Sequence, residues 1–417
     1  MTVLFFIFSL LCVALTANVI RPIDTHPKWM VPSFLLGWLI GELALHVVFV
    51  EAIIVFIFVY YGVVSGFWAG IALLLCVGAW LVLAYHYYSG YKAKVLMDNI
   101  VIPHRQKEDL SSWGRHSEVD SRRLLLPFST LKDENVEVLK DIIYHEVDGF
   151  HLKLDIRRSI DLRESKQSNA PVLFQIHGGA WTKGYGSKNE QAIPLMVELA
   201  KRGWVCVSVD YRLSPYATFP DHIIDCKRAL VWVKEHISEY GGDPDFIIST
   251  GGSAGGHLTS LLAVTANNPV FQPGFETSDT RVQGCVPYYG IYDLMDSQKL
   301  QLTVGLEIIL RKGIVKQTKQ ENQDLYQLMS PITHIHAEAP PFLVVHGDKD
   351  SLTSLAEAQY FASSLDEVSK QTVEFAEIAG AQHGFDTFTS LRSDYVLQGV
   401  AERMSQWHRD HKIKCNK

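Results

Sequence analysis

The first 90 residues of this 417-residue chain carry almost no charge, and this constrains the fold more than any other feature of the sequence. Apart from histidines, the acidic and basic side chains of the segment are Arg21, Asp24, Lys28, Glu42 and Glu51. The segment contains three apolar blocks, at Thr2–Ile20, Val31–Tyr61 and Phe67–Tyr88. A helix of about 20 apolar residues crosses a bilayer, and no nearby polar segments cover these blocks. The pattern therefore predicts a transmembrane segment of about three helices over residues 1–90.

The second block is too long for one simple span, so four spans, or a re-entrant stretch near Gly37–Glu42, are alternatives to three. It also contains ionisable groups at near-helical spacing, namely Glu42, His46 and Glu51. Ionisable groups at membrane depth usually have a function, such as a proton or ion path. The simpler interpretation, which we favour, is that Val31–Glu42 lies at the membrane interface and that the span begins near Leu43.

Basic residues beside the spans indicate the orientation, because cytoplasmic loops carry an excess of Lys and Arg. The basic residues of the first loop, and those that follow the third block, are Arg21, Lys28, Lys92, Lys94, Arg105 and Lys107. With three spans these two regions share one side, which predicts a multi-pass membrane protein with its C-terminal part in the cytoplasm. The six cysteines show no paired spacing, which suits a reducing compartment. A miscount of one helix would invert the orientation.

The rest of the chain has the composition of a soluble α/β domain. The net charge of −7 and the absence of a basic run with interleaved aromatics argue against nucleic acid as a partner. Residues 91–140 are polar and predict a linker that packs on the domain and contributes to a cap, with a helix near Leu131–Leu139. Residues 141–413 predict the catalytic domain. The stretch 291–336 breaks its rhythm and is the candidate cap insertion.

Alternating strands and helices over residues 141–413 predict a mostly parallel sheet covered on both faces. The pattern begins with a hairpin, Ile142–Val147 and Leu152–Ile156, around Asp148–Gly149. Further strands are predicted at Val172–Ile176, Val205–Val209, Phe246–Thr250, Val282–Tyr288, Phe342–His346 and Thr372–Ile378. Helical patterns lie near 189–202, 222–240, 254–267, 354–367 and 393–410.

Ser253 lies between two pairs of glycines, in the stretch Gly251-Gly-Ser-Ala-Gly-Gly256. Because a predicted strand ends at Thr250 and a predicted helix begins at Ala254, the serine sits at the turn that joins them. In a G-x-S-x-G nucleophile elbow the serine takes an unfavourable backbone conformation, and the flanking positions must lack side chains. The alternative is a flexible turn. The strand-to-helix context favours a catalytic serine.

A serine nucleophile needs a base, and the base needs an orienting carboxylate, in the chain order Ser, Asp, His for this type of elbow. His383 follows the last predicted strand, and the loop after Phe342–His346 offers two acids, Asp348 and Asp350. Asp350 is favoured because Asp350-Ser-Leu352 matches a D-x-L ending. The sequence therefore predicts a Ser253, Asp350 and His383 triad.

An oxyanion hole is predicted upstream, where His177-Gly-Gly-Ala-Trp181 follows a strand. Backbone N–H groups from such a loop, and from the residue after the nucleophile, stabilise the negative oxygen of an acyl-transfer intermediate. The predicted donors are Gly178, Gly179 and Ala254. His177 is interpreted as a structural brace for the loop.

Together these motifs resemble the hormone-sensitive lipase/carboxylesterase family of α/β-hydrolases. The stretches that carry the resemblance are His177-Gly-Gly-Ala-Trp181, Asp210-Tyr-Arg-Leu-Ser-Pro215, Gly241-Gly-Asp-Pro244 and Gly251-Gly-Ser-Ala-Gly-Gly256, with Asp350 and His383. The resemblance implies an α/β-hydrolase fold and ester hydrolysis through an acyl-enzyme, with no metal or organic cofactor. Ala180 replaces the third glycine of the family's H-G-G-G, and the H-G-G-x-W form is similar to kynurenine formamidases and prenylcysteine methylesterases. A metal site at the alternating His334 and His336 is not expected.

The leading hypothesis is a membrane-anchored serine esterase that draws a hydrophobic ester from the lipid bilayer. A formamidase or amidase of the same fold is the alternative among enzymes, and a membrane binding module is the alternative outside them. Because the predicted chemistry lies wholly beyond residue 141, a chain without residues 1–90 is expected to keep activity on short, water-soluble esters.

Overall fold

The computed structural model describes residues 1–104, 119, 121–165, 169–302 and 305–415. Its N-terminal part consists of four apolar helices: α1 (Thr2–Ile20), α2 (Pro27–Glu42), α3 (Ala44–Tyr60) and α4 (Phe67–Tyr88). The second apolar block is therefore two helices, and the chain bends by 89° between them. By length and composition, α1 and α4 with its continuation to Val101 are able to cross a membrane, and the bent pair would add a third crossing. The break at Leu43 lies where the favoured interpretation puts the start of a span.

Small side chains let α1 and α4 approach each other closely. The residues buried between these helices and α3 include Phe5, Cys12, Val55, Ala69, Ala72 and Cys76. Apolar helices in lipid associate through this kind of close packing, because lipid gives them no hydrophobic reason to associate. The outward faces carry exposed large apolar side chains such as Leu4, Leu74 and Leu81.

The three ionisable groups of the second block have separate partners. The Glu42 carboxylate contacts Arg392 of the C-terminal domain, and a ring nitrogen of His46 lies 3.2 Å from the Leu125 carbonyl oxygen. Glu51 accepts a hydrogen bond from the Trp80 indole N–H within the N-terminal helices, at 2.8 Å. Two of the three groups therefore contact the domain, and the third stays among the apolar helices.

The first part of the predicted linker, directly after α4, is a helix that packs on the domain. Helix α5 (Tyr91–Val101) packs on the C-terminal helix Leu391–Cys415, where the Gln406 amide donates to the Val101 carbonyl at 2.9 Å. Gly399 permits this contact, because a Cβ atom there would lie 2.5 Å from the Cβ of Met97. Arg105 and Lys107, which entered the orientation argument, lie outside the described residues.

Within the described part of the chain, a sheet of eight strands forms the centre of the domain. Its strands are β1 (Val136–Val147), β2 (Phe150–Ser159), β3 (Ala170–Ile176), β4 (Val205–Val209), β5 (Gly242–Gly252), β6 (Gly284–Tyr288), β7 (Phe342–Gly347) and β8 (Val373–Ile378). The spatial order is β1-β2-β4-β3-β5-β6-β7-β8, with β1 and β2 antiparallel to their neighbours and the other pairs parallel. The prediction of a mostly parallel sheet is confirmed.

Helices cover both faces of the sheet. The described helices after α5 are α6 (Ser121–Leu125), α7 (Ile160–Ser165), α8 (Ile193–Lys201), α9 (Asp221–His236), α10 (Ala254–Val264), α11 (Gly305–Ile309), α12 (Gln323–Leu328), α13 (Leu355–Val368) and α14 (Leu391–Cys415). Leu230, Leu258 and Phe361 represent the core that α9, α10 and α13 form on one face. Leu199 and Val400 represent the core that α8 and α14 form on the other.

The predicted helix near Leu131–Leu139 is wrong. After a 3₁₀ turn at Ser129–Leu131, the chain enters β1, which pairs with β2 from Val136 opposite Ser159 to Val147 opposite Phe150. Cross-strand pairing overrides a local preference, because strand stability depends on the neighbouring strand. The predicted hairpin turn is confirmed, since Asp148 and Gly149 both have positive φ, 51° and 78°.

The insertion at 291–336 packs beside the loop that follows β4. The Phe219 N–H donates to the Ile314 carbonyl at 3.0 Å, and the Lys316 ammonium donates to the Pro215 carbonyl at 2.9 Å. A five-residue π-helix, Leu310–Ile314, follows α11 in this region. The role of the insertion as a cap stays a prediction.

Candidate active site

Ser253 occupies the turn between β5 and α10 in a strained backbone conformation. Its φ and ψ are 58° and −122°, values that residues other than glycine rarely adopt. The neighbouring glycines are required by contact, since a Cβ on Gly255 would lie 2.1 Å from the Ile176 carbonyl oxygen. Backbone strain of this kind costs about 1–3 kcal/mol and persists at functional sites. The elbow expected from the sequence is therefore present at Ser253.

His383 and Asp350 form a buried pair. The Nδ1 atom of His383 lies 2.7 Å from the Oδ2 atom of Asp350, and both side chains are almost inaccessible. The other oxygen of Asp350 accepts hydrogen bonds from the Leu352 and Thr353 N–H groups, at 2.8 and 2.9 Å. Burial favours the neutral carboxyl, but the facing His383 and these hydrogen bonds hold the pKa of Asp350 below its ordinary value. The imidazole is thus held through Nδ1, which leaves Nε2 to exchange a proton.

Asp348 has a different task. Its Oδ1 atom accepts a hydrogen bond from the Gly380 N–H at 2.6 Å, so it braces the chain just before His383. The structure therefore places Asp350, and not Asp348, against the imidazole.

Tyr289, which directly follows β6, is a shared neighbour of Gly252 and His383. The ring centroids of Tyr289 and His383 are 4.5 Å apart. On the other side, a Cβ on Gly252 would lie 2.8 Å from the Tyr289 hydroxyl, and the Ser253 N–H donates to the Tyr288 carbonyl at 3.0 Å. Gly252, in the turn of Ser253, and His383 thus approach the same aromatic ring, although they are distant in sequence.

The Tyr289 hydroxyl donates a hydrogen bond of 2.5 Å to the Oδ1 atom of Asp386. Burial raises the pKa of Asp386 above its ordinary value. Neither residue was expected from the sequence. The available signals were the position of Tyr289 at the carboxyl end of a parallel strand, and the position of Asp386 three residues after His383.

The loop of the predicted oxyanion hole packs on Tyr211. The His177 ring stacks on Tyr211 at 4.5 Å, and Tyr211 donates to the His177 carbonyl at 3.0 Å. Burial lowers the pKa of His177, which favours the neutral ring. These contacts agree with a structural role for this histidine.

Gly178 is one of the three predicted oxyanion donors. Its N–H donates to the Oε1 atom of Gln191 at 2.6 Å, so this donor is already engaged. Gly179 has a φ of 106°, and Ala254 is the first residue of α10, where N–H groups have no partner within the helix. Gly179 and Ala254 remain candidate oxyanion donors, while Gly178 and Gln191 bond to each other within the loop.

The N-terminal helices contact His383 and its surroundings. The ring of Phe34 on α2 lies 5.8 Å from the His383 ring, and Trp38 lies 5.3 Å from Phe388. A Cβ on Gly37 would lie 3.5 Å from the side-chain nitrogen of Gln382. The surroundings of the site are therefore not confined to residues beyond 141, and no spacing in the sequence indicates this contact.

His334, one of the two histidines weighed as metal ligands, uses Nε2 for a hydrogen bond with the Leu328 carbonyl oxygen at 2.8 Å. Among the residues that the structure describes, no group of three or more His, Cys, Asp or Glu side chains is arranged to hold a metal ion.

The chain is similar to known esterases. The BD-FAE family matches residues 159–365. The probable carboxylic ester hydrolase LipM of Mycobacterium tuberculosis is 52% identical over 266 residues, which are 64% of this chain and 60% of that protein. An arylesterase of Saccharolobus solfataricus is 33% identical over 231 residues, 53% of this chain and 70% of that protein.

A solved structure shows the same fold. A truncated carbohydrate esterase from gut microbiota superimposes with a TM-score of 0.57 at 21% identity, covering 67% of this chain and 99% of that one. The match to the mycobacterial relative spans less than two thirds of its length, whereas the match to the arylesterase spans more. With the elbow and the Asp350–His383 pair in place, the chain belongs to the carboxylic ester hydrolases of the α/β-hydrolase fold.

Proposed function

We propose that this protein is a membrane-anchored serine esterase that acts through a Ser253, His383 and Asp350 triad. The observation that carries the proposal is the 2.7 Å contact of Asp350 with His383 Nδ1, on a ring that shares Tyr289 with the strained turn of Ser253. An imidazole fixed through Nδ1 accepts a proton at Nε2, as a serine nucleophile requires. The names of the relatives support ester hydrolysis.

The reaction then has two halves. His383 takes the proton of Ser253 as the Ser253 hydroxyl oxygen attacks the ester carbonyl. The N–H groups of Gly179 and Ala254 stabilise the oxyanion. The imidazolium, stabilised by Asp350, returns the proton to the departing alcohol and leaves an acyl-serine. Water then attacks the acyl-serine with the help of the same imidazole, which releases the acid and restores the enzyme.

The contacts of α2 support a hydrophobic substrate from the bilayer. Leu35, Leu36 and Leu39 on α2 are exposed, while Phe34 on the same helix contacts His383. One apolar helix therefore joins a lipid-facing surface to the catalytic base. An ester dissolved in the bilayer reaches the site along α2 without first crossing water.

The helix arrangement also supports a cytoplasmic domain. Asn18, near the end of α1, donates to the Ser33 carbonyl on α2 at 2.8 Å, and Glu42 at the end of α2 contacts the domain. In our proposal α1 crosses towards the domain, α2 lies along that face, α3 crosses away and α4 returns. This topology has three crossings, so the basic first loop lies on the side of the domain, which is the cytoplasmic side.

Trp181 gives no reason to prefer a formamide substrate. Its side chain is 1% exposed, and its indole N–H donates to His257 Nδ1 on α10 at 3.2 Å. The feature that distinguishes H-G-G-x-W from H-G-G-G is thus directed into the core.

The test is labelling of the full-length protein with a fluorophosphonate, followed by a panel of esters of increasing chain length and matched formamides. We expect labelling of the wild type, none of Ser253→Ala, and faster turnover of long-chain esters than of formamides. A wild type that resists the label, or a Ser253→Ala variant that retains turnover, would show that the mechanism is wrong.

A further inference from the structure

Arg392 is held jointly by the domain and the membrane segment. It lies in the first turn of α14 and is 3% exposed. Its Nε atom donates to the Ala379 carbonyl at 2.8 Å, and its Nη1 atom donates to the Oε1 atom of Glu42 at 2.7 Å. Its Nη2 atom lies 3.3 Å from Nε2 of His86 on α4. Two helices of the N-terminal segment therefore complete the environment of one buried cation.

Glu42 uses both of its oxygens on the domain. While Oε1 accepts from Arg392, Oε2 accepts from the Ser390 hydroxyl at 2.5 Å, and the residue is 4% exposed. Desolvation makes a buried ion pair expensive, and it is retained at net gain only where further hydrogen bonds complete it. A carboxylate in an otherwise apolar helix is also costly beside a membrane, which makes it a candidate for function.

Glu42 is linked to both ends of the segment that carries His383, directly through Ser390 and indirectly through Arg392. Arg392 holds the Ala379 carbonyl, four residues before His383, and Ser390 lies seven residues after it. Between these points, Gln382 accepts from the Ser351 N–H at 2.8 Å, which ties the segment to the loop of Asp350. We therefore expect a displacement of Arg392 to shift the His383 segment relative to Ser253.

We propose that Glu42 is a positioning residue for His383, acting through Arg392 and Ser390. This inference rests on the proposed serine-esterase function. It makes the N-terminal segment a part of the catalytic apparatus as well as an anchor. The triad has its productive geometry when α2 packs on the domain and the charge of Arg392 is paired with Glu42.

The experiment compares variants of the full-length protein in detergent micelles or vesicles. The readouts are the rate constant for fluorophosphonate labelling of Ser253, and kcat and KM for a short, water-soluble ester. A small displacement of a catalytic group costs on the order of 100-fold in rate, so Glu42→Ala is expected to lower labelling and kcat by roughly 10- to 100-fold with little change in KM. Glu42→Asp keeps a carboxylate before Arg392 and is expected to restore part of the rate.

Glu51→Ala is the matched control. Glu51 is also a buried carboxylate of the N-terminal segment, but its hydrogen bond goes to Trp80. We expect its labelling rate to equal that of the wild type. Arg392→Lys keeps a positive charge facing Glu42 but loses the hydrogen bond from Nε to the Ala379 carbonyl. It leaves the N-terminal segment unaltered and is expected to slow labelling as Glu42→Ala does.

Wild-type labelling of both Glu42→Ala and Arg392→Lys would overturn the inference. Equal losses in Glu42→Ala and Glu51→Ala, with equal falls in melting temperature, would also overturn it, because they would reduce the effect to general stability. A wild-type protein that is not labelled at all would remove the serine-esterase proposal and this inference with it.

Discussion

Phe34 lies edge-to-face against His383, with ring centroids 5.8 Å apart and ring planes inclined by 81°. A residue from a nearly uncharged N-terminal helix thus contacts His383, the proposed catalytic base. Aromatic pairs of this geometry contribute about 0.5–1.5 kcal/mol beyond the burial of their area. The contact gives α2 two roles, since the same ring supports the imidazole and forms an apolar wall beside it.

We expect Phe34→Ala to reduce kcat/KM for a long-chain ester by about tenfold, because a lost apolar wall of this size removes about 1.4 kcal/mol of binding. For an acetyl ester, which is too short to use the wall, the expected change is smaller. Steady-state kinetics on the two esters in mixed micelles measure the difference. Val31→Ala is the control, since Val31 is on the same helix but 49% exposed. Equal losses on both esters would contradict the specificity role of Phe34.

The two candidate acids are expected to differ sharply. Asp350→Asn should lower kcat by about 10⁴-fold, because an amide at this position favours the wrong imidazole tautomer. Asp348→Asn should have a much smaller effect, since its amide oxygen is still able to accept the Gly380 N–H. Single-turnover measurements with a chromogenic ester compare them. A crippled Asp348→Asn beside a mild Asp350→Asn would reverse the assignment.

Removal of residues 1–90 is expected to impair even short-ester turnover. The sequence alone led to the opposite expectation, because every predicted catalytic residue lies beyond 141. In the structure, however, the truncation removes Glu42 from Arg392 and Phe34 from His383. Turnover of a short ester by residues 91–417, with circular dichroism as a check of folding, measures the effect. Full activity of a folded truncated chain would contradict this prediction.

Glu357 is expected to make stability fall as pH rises. It is 4% exposed, its Oε1 accepts from the Tyr292 and Asp293 N–H groups, and burial raises its pKa from 4.5 to about 7. Between these two values the folded chain binds a proton that the unfolded chain does not, so the stabilisation present below pH 4.5 is lost as pH approaches 7. The loss is on the order of 3 kcal/mol.

Glu357→Gln keeps the acceptor oxygen without the charge, so it should be more stable than the wild type at pH 8 and similar to it at pH 4.5. Melting temperatures at the two pH values check this. Glu367→Gln, at an exposed position of the same helix, is the control. A wild type whose melting temperature does not differ from that of Glu357→Gln at pH 8 would refute the prediction.

Local patterns predicted the parts of this protein that local physics decides. The elbow at Ser253 follows from glycines between a strand and a helix, because side chains there would collide with the backbone. The strands from Val205–Val209 to Phe342–His346 follow from apolar runs that suit a sheet buried on both faces. Asp350 was preferred to Asp348 from its neighbours alone, and the contact with His383 agrees.

Tertiary structure decided what depends on partners from distant parts of the chain. Residues from Val136 onward are a strand because β2 is available to pair with them, although their own sequence favoured a helix. The N–H of Gly178, a predicted oxyanion donor, bonds to Gln191, thirteen residues later in the chain. Glu42 and Arg392 are 350 residues apart, and each alone is only a charge that must avoid an apolar environment. The sequence shows that each of these charges requires a partner, but only the folded chain determines which residue lies close enough to pair with it.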